Sequence, residues 1–218
     1  MMLVIYSENR FDSANRSGEY LKYVKYEPEN KPEGKLPLFI YVHGAGGRGD
    51  DLSVIKTVAP MGVISAGREV NAVCVAPQCH ADTWFELFDV LLEFIDNMRC
   101  GENIDQSRVY ISGSSMGGYT TWQVIMSRPE WFAAAVPVCG GGMYWNAGRL
   151  KNLPIWAFHG ALDMTVLPEE SVKMVAAVNK SGGNAKLTVF PKCDHGSWVP
   201  AFESEELWQW IFEQRRKD

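Results

Sequence analysis

Several signatures that would fix a chemistry at once are missing from this chain. It has no Cys-x-x-Cys pair, no His-x-x-x-His spacing and no Gly-Lys-Ser/Thr phosphate-loop ending. Those absences remove the common dithiol, zinc and P-loop patterns, and neither a metal nor a cofactor is expected. No apolar run approaches the roughly 20 residues that cross a bilayer. The start, "MMLVIYSENR", has no basic n-region and only six consecutive apolar residues. It reads as neither a secretion signal nor a membrane anchor. Basic residues are scattered through a chain of net charge −5. The nearest basic run, Arg215 to Lys217, fits the last turn of a helix, where cations meet the negative end of the dipole. Nucleic acid and membranes are therefore not expected as partners. The cysteines are an odd five: Cys74, Cys79, Cys100, Cys139 and Cys193. Free thiols in a cytoplasmic protein are the simplest reading.

What is present is an ordinary globular composition, 46% apolar and 22% charged over 218 residues. That length suits one domain, expected to run from 1 to 218. Near-continuous apolar runs at 36–42, 71–77, 108–113, 133–138, 153–160 and 185–190 suit strands buried on both faces. The more polar, alternating run 19–28 suits an edge strand, and 7–18 reads as loop. Helices are expected between the runs. One opens at Thr83, with Glu86 completing a capping box and Phe85, Phe88, Leu92 and Ile95 at helical spacing. Another follows residue 115 and stops against Pro129; a third has Pro168 in its first turn and stops at Gly182; a fourth closes the chain. Strand–helix–strand alternation with short links means a doubly wound, mostly parallel sheet flanked by helices.

The run "RVYISGSSMGGYTTW" carries Gly-x-Ser-x-Gly between a strand and a helix. A serine on that sharp turn is raised above the sheet edge, and glycines two before and two after relieve crowding. Gly113 and Gly117 fit, which makes Ser115 the candidate nucleophile and leaves Ser114 pointing elsewhere. A serine needs a base. Of the four histidines, His43, His80 and His159 have structural explanations, His159 as a strand-end residue bonded to neighbouring backbone. On such a sheet the order is serine, acid, histidine. His195, in "PKCDHGSWVP", comes late and after a strand, and is the candidate base. Asp163, in "HGALDMTV", is the candidate acid. Asp194 is its rival, but neighbouring side chains in extended chain point apart. The Met116 N–H and an N–H from "HGAGGRGDD", at Ala45 with Gly46 second, would form the oxyanion hole.

The motifs "HGAGGRGDD", "VAPQC", "DQSRVYISGSSMGGYTTW", "AAVPVCGGG", "LPIWAFHGALDMTV" and "HGSWVPAF" together resemble α/β-hydrolase esterases over about residues 20–216. The resemblance is to carboxylesterases with a prolyl-oligopeptidase-like or feruloyl-esterase-like catalytic domain. It implies a serine carboxylesterase with Ser115, Asp163 and His195 as nucleophile, acid and base. Dienelactone-type hydrolases share the fold but use cysteine where this chain has Ser115. Related proteins often carry an accessory domain and a secretion signal; neither is expected here, and the loop after "APQC" is short. Only 139–152 separates the two strands where a lid is usually inserted, so no large lid is expected. Trp84, Tyr144, Trp145 and Trp198 are candidate substrate-binding walls, with core packing an equal explanation for Trp84 and Trp198. The expected partner is a small-molecule ester, with homo-oligomer formation left open. A peptidase or thioesterase with the same triad, and a ligand receptor on a hydrolase scaffold, are the alternatives.

Overall fold

The computed structural model describes residues 6–30 and 33–216, and its eight strands form one sheet. In chain order these are β1 (Tyr6–Asp12), β2 (Tyr20–Tyr26), β3 (Leu36–Val42), β4 (Val73–Gln78), β5 (Ile104–Ser114), β6 (Ala134–Val138), β7 (Ile155–Gly160) and β8 (Ala185–Phe190). Their spatial order is β1-β2-β4-β3-β5-β6-β7-β8. The β1/β2 and β2/β4 pairs are antiparallel, and every other pair is parallel. The doubly wound, mostly parallel sheet expected from the alternating runs is therefore present.

Helices cover both faces. They are α1 (Leu52–Ile55), α2 (Met61–Ser65), α3 (Phe88–Arg99), α4 (Met116–Ser127), α5 (Glu169–Lys180), α6 (Trp198–Glu203) and α7 (Glu205–Glu213). The alternation of β3 shows the layering. Leu36, Leu38, Ile40 and Val42 join a core with residues of α3, α4 and α5, while Phe39 and Tyr41 join a second core with residues of α1, α2, α6 and α7. A strand covered on both sides has no solvent face to make polar, so β3 reads as an unbroken apolar run. Winding reverses at β3, which lies between β4 and β5. Loops leaving β3 and β5 on the same edge diverge there, and the gap is where open α/β sheets accept ligands.

Four expectations need correction. Residues 7–12 of the expected loop 7–18 belong to strand β1, so β2 is the second strand and β1 the edge. The polarity of β1 misled: only Tyr6 and Phe11 pack against the core, Phe11 edge-on to Phe94, and the outward residues face solvent as an edge strand allows. Helix α3 begins at Phe88 rather than near Thr83. Glu86 does bond back to the Thr83 N–H and hydroxyl at 2.8 and 3.0 Å, but the intervening turn leaves Phe85 52% exposed. The buried face of α3 is Val90, Leu91, Phe94 and Ile95. Finally, Arg215 and Arg216 lie beyond α7, which ends at Glu213; Lys217 falls outside the described residues. The Arg216 N–H bonds to the Ser107 carbonyl at 2.8 Å, so the tail runs along the start of β5 instead of continuing the helix.

Candidate active site

Three strands end around the candidate nucleophile. Ser115 follows β5 directly and precedes α4 with φ 57° and ψ −121°, a conformation costly for a residue with a Cβ. The strain is held by the surroundings. The Ser115 N–H bonds to Val138 O on β6 at 3.0 Å, and Ser115 O accepts from the Tyr119 N–H at 3.0 Å. The flanking glycines are required by close approach. A Cβ on Gly117 would run into the Val42 carbonyl, and one on Gly113 would sit 2.6 Å from Thr121 Oγ1. The Ser114 hydroxyl points the other way and shares a 2.6 Å hydrogen bond with Tyr41 Oη.

His195 and Asp163 arrive from later strands. Asp163 lies three residues beyond β7, and His195 five beyond β8. His195 Nε2 is 2.9 Å from Ser115 Oγ, and His195 Nδ1 is 2.7 Å from Asp163 Oδ2. A carboxylate only accepts, so Nδ1 carries the proton and Nε2 is free to accept from the serine. Asp163 Oδ1 accepts from the Thr165 and Val166 N–H groups, both at 2.9 Å. Burial alone would raise this carboxyl's pKa. The hydrogen bonds from His195, Val166 and Thr165 together outweigh that and hold it below the usual carboxylate value. The rival Asp194 turns away and accepts from the Gly196 N–H at 3.1 Å.

The oxyanion-loop candidates sit against the serine. A Cβ on Gly44 would be 3.2 Å from Ser115 Cβ and 3.8 Å from its Oγ. Ala45 and Gly46 follow in a short 3-10 turn, Ala45–Gly47, and Met116 opens α4. First-turn amides have no partner within their own helix or turn. Beneath the loop, His43 is buried. Its Nδ1–H donates to Gly44 O at 2.6 Å and its Nε2 accepts from the Cys79 N–H at 2.9 Å. Burial pushes its pKa down to about 4, aided by the charge of Arg48 and opposed by the Gly44 carbonyl. Gly44, Gly46 and Gly49 have the spacing of a dinucleotide fingerprint, but only the 3-10 turn and then the four-residue α1 follow. That is too little helix to seat a pyrophosphate.

The aromatic candidates separate. Trp84 is fully buried; its Nε1–H donates to His43 O at 3.0 Å and its ring packs on the His43 ring. It supports the loop from below and is withdrawn as a substrate wall. Trp198 meets the His195 ring edge-to-face at 5.4 Å. Tyr144 and Trp145 open the 3-10 turn Tyr144–Leu150 after β6 and are 56% and 74% exposed. No inserted domain lies between β6 and β7. His80 stacks on Tyr20 at 4.7 Å and takes no part.

Two residues near the acid escaped the motif reading. Cys139 directly follows β6 with φ 39°, and its sulfur, Asp163 and His195 offer ligand atoms within 4.8 Å of one another. Burial pushes its thiol up to about 12, only partly countered by the Ser115 backbone. A protonated thiol beside an already paired His–Asp couple is a poor metal ligand. His159, the last but one residue of β7, also faces Asp163: its Nε2 is 3.3 Å from Oδ2, with both side chains fully buried. Only its adjacency to the acid loop, in "HGALD", could have signalled this.

Comparison with known proteins bears on this arrangement. The family model described as the prolyl oligopeptidase family matches residues 86–147 and 143–215. The solved structure of a thermostable esterase superposes with a TM-score of 0.78 at 31% identity, over 97% of this chain and 63% of that one. A poly(3-hydroxyalkanoate) depolymerase C from Paucimonas lemoignei is 27% identical over 137 residues, 56% of this chain and 31% of the relative. A bifunctional acetylxylan esterase/xylanase from Neocallimastix patriciarum is 27% identical over 124 residues, 49% of this chain and 18% of the relative. The chain thus spans less than a third of either curated relative.

Proposed function

The chain belongs to the prolyl oligopeptidase family, in the α/β-hydrolase fold, and on that premise we propose that it is a serine hydrolase that cleaves carboxylic esters through an acyl-enzyme. One observation carries the reading: the unbroken line of hydrogen bonds from Ser115 Oγ to His195 to Asp163, at 2.9 and 2.7 Å. Ser115 Oγ attacks the ester carbonyl while His195 Nε2 takes its proton. Asp163 holds the ring in the Nδ1–H tautomer and stabilises the imidazolium. The negative oxygen of the tetrahedral intermediate is met by the N–H groups of Met116 and Ala45. His195 then returns the proton to the leaving alkoxide, and water repeats both steps to release the acid. Relatives named as an esterase and an acetylxylan esterase favour an ester over an amide. Tyr144, Trp145 and Trp198 flank the acyl or alcohol group in this scheme, and the partner is a small ester molecule. A cytoplasmic setting is part of the proposal; its support is that Cys74, Cys79, Cys100, Cys139 and Cys193 are all free.

The test is hydrolysis of p-nitrophenyl acetate with a panel of anilide and thioester analogues. Ser115→Ala and His195→Ala should each lower turnover on the order of 10⁶-fold, and Asp163→Ala about 10⁴-fold, the scale set by another serine hydrolase. Fluorophosphonate should label Ser115 alone. Undiminished turnover in Ser115→Ala would remove the reading.

A further inference from the structure

We propose that His159 is a positioning residue for the catalytic acid: its Nε2–H, bonded to the Val166 carbonyl with Asp163 Oδ2 close by, fixes the acid's loop and tempers the carboxylate that faces His195. This rests on the esterase reading of the same site.

The hydrogen-bond arithmetic carries it. His159 Nε2 is 2.9 Å from Val166 O and 3.3 Å from Asp163 Oδ2. Both are acceptors, so Nε2 must carry a proton whichever oxygen it favours. On the other side of the ring, Nδ1 is 2.7 Å from Ser171 Oγ. Ser171 Oγ also lies 2.9 Å from Gly140 O. The buried ring is therefore held from α5 at Nδ1 and turns its Nε2–H toward the acid's loop. Val166 is held twice, since its N–H donates to Asp163 Oδ1 at 2.9 Å while its carbonyl receives His159. Asp163 Oδ2 in turn has two imidazole neighbours, His195 at 2.7 Å and His159 at 3.3 Å. Space-filling alone would not require a polar ring here. A fully buried histidine with both nitrogens engaged is retained for its bonds.

The direction of the effect follows. A donor beside Oδ2 disperses part of the carboxylate's charge and so weakens its pull on the His195 imidazolium. Without that donor Asp163 stabilises the imidazolium more, and His195 holds its proton to higher pH. The acid limb of kcat/KM, which reports the free base, should move up. Around this pair among the described residues stand Cys139 just after β6, Tyr119 on α4, Glu170 on α5 beside Tyr119, and Cys193 and Asp194 before His195. All are unchanged in the variants below.

His159→Asn and His159→Gln separate the roles. An asparagine amide reaches the place of Nδ1 and Ser171 but not that of Nε2; a glutamine amide reaches the place of Nε2. The experiment records the acid limb of kcat/KM with p-nitrophenyl acetate, and the NMR titration of the His195 Nδ1–H resonance, in each protein. Asn should raise the limb on the order of half a pH unit and move the resonance midpoint with it, while Gln returns both to the wild-type position. Limbs that superimpose in all three proteins, or that move equally in Asn and Gln, overturn the proposal and leave His159 as core filling. If Asn does not fold, Gln decides: a wild-type limb supports the proposal and a displaced one overturns it. The NMR midpoint needs no turnover. A protein inactive on every ester would count against the esterase reading alone, with His159 still tested by the resonance.

Discussion

At the scale of single residues, the support beneath the site is histidine and tryptophan doing polar work in the dark. His43 must stay neutral, because protonating Nε2 would turn the acceptor for the Cys79 N–H into a second donor facing it. Its folded pKa of about 4 lies below the unfolded value near 6.5. Between those values the unfolded chain binds the extra proton, so stability rises with pH across the window and falls on acidification. Thermal unfolding followed from pH 7 to 4 should show this decline, and His43→Gln, whose amide oxygen can accept in place of Nε2, should flatten it. An identical slope in both proteins would clear His43 of the role. Trp84→Phe removes the donor to His43 O and part of a filled volume. It should cost about 1–3 kcal/mol of stability with KM nearly unchanged; a large KM rise with intact stability would return Trp84 to the substrate.

At the scale of elements, the strand-to-helix turn at Ser115 is the tightest construction. The helix start and two strand ends meet so closely that Gly117 has no room for a methyl group against Val42 O. Gly117→Ala should cost at least about 3 kcal/mol or prevent folding, because the obstacle is backbone and cannot step aside. Gly46 has nothing within 4 Å of its would-be Cβ, so Gly46→Ala should leave stability within about 0.5 kcal/mol. Chemical denaturation of the two variants, run side by side, checks whether crowding or merely glycine content matters. The elements least legible in the sequence were those whose context outweighs their letters. β1 is polar because it is an edge, and the box at Thr83 forms its bonds without starting a helix.

Across the whole molecule, the C-terminal tail is tied back to the start of β5. Asp105 accepts from the Ser107 N–H and hydroxyl at 3.0 and 2.7 Å and from Arg108 at 2.6 Å, and it pairs with Arg215 at 3.5 Å. Burial would raise its pKa, but Ser107 and Arg108 more than compensate and hold it at about 2. A carboxyl depressed in the fold stabilises it above the unfolded value near 4, and that support is lost as pH falls toward 2. Asp105→Asn should therefore lower stability at neutral pH by roughly 1–2 kcal/mol and shrink the acid-induced loss below pH 4. Equal pH dependence in both proteins would show that the tail is held by other bonds. No helix among the described residues is long and apolar enough to cross a membrane.

The sequence by itself determined the buried strands of the sheet and the order of events along them. Double-sided burial writes strands as apolar runs, and Gly113, Ser115, Gly117, Asp163 and His195 stand out because a sharp turn and an acyl-transfer relay restrict the residue types that serve them. Only the tertiary structure decided which aromatics face solvent, which histidines are braces, and that a second imidazole sits beside the acid. Those are facts of approach between segments distant in the chain: Trp84 under His43, and Ser171 on α5 orienting His159 on β7. A residue's letter states what bonds it can make; the partner that takes them is chosen by the packing of the sheet and its helices.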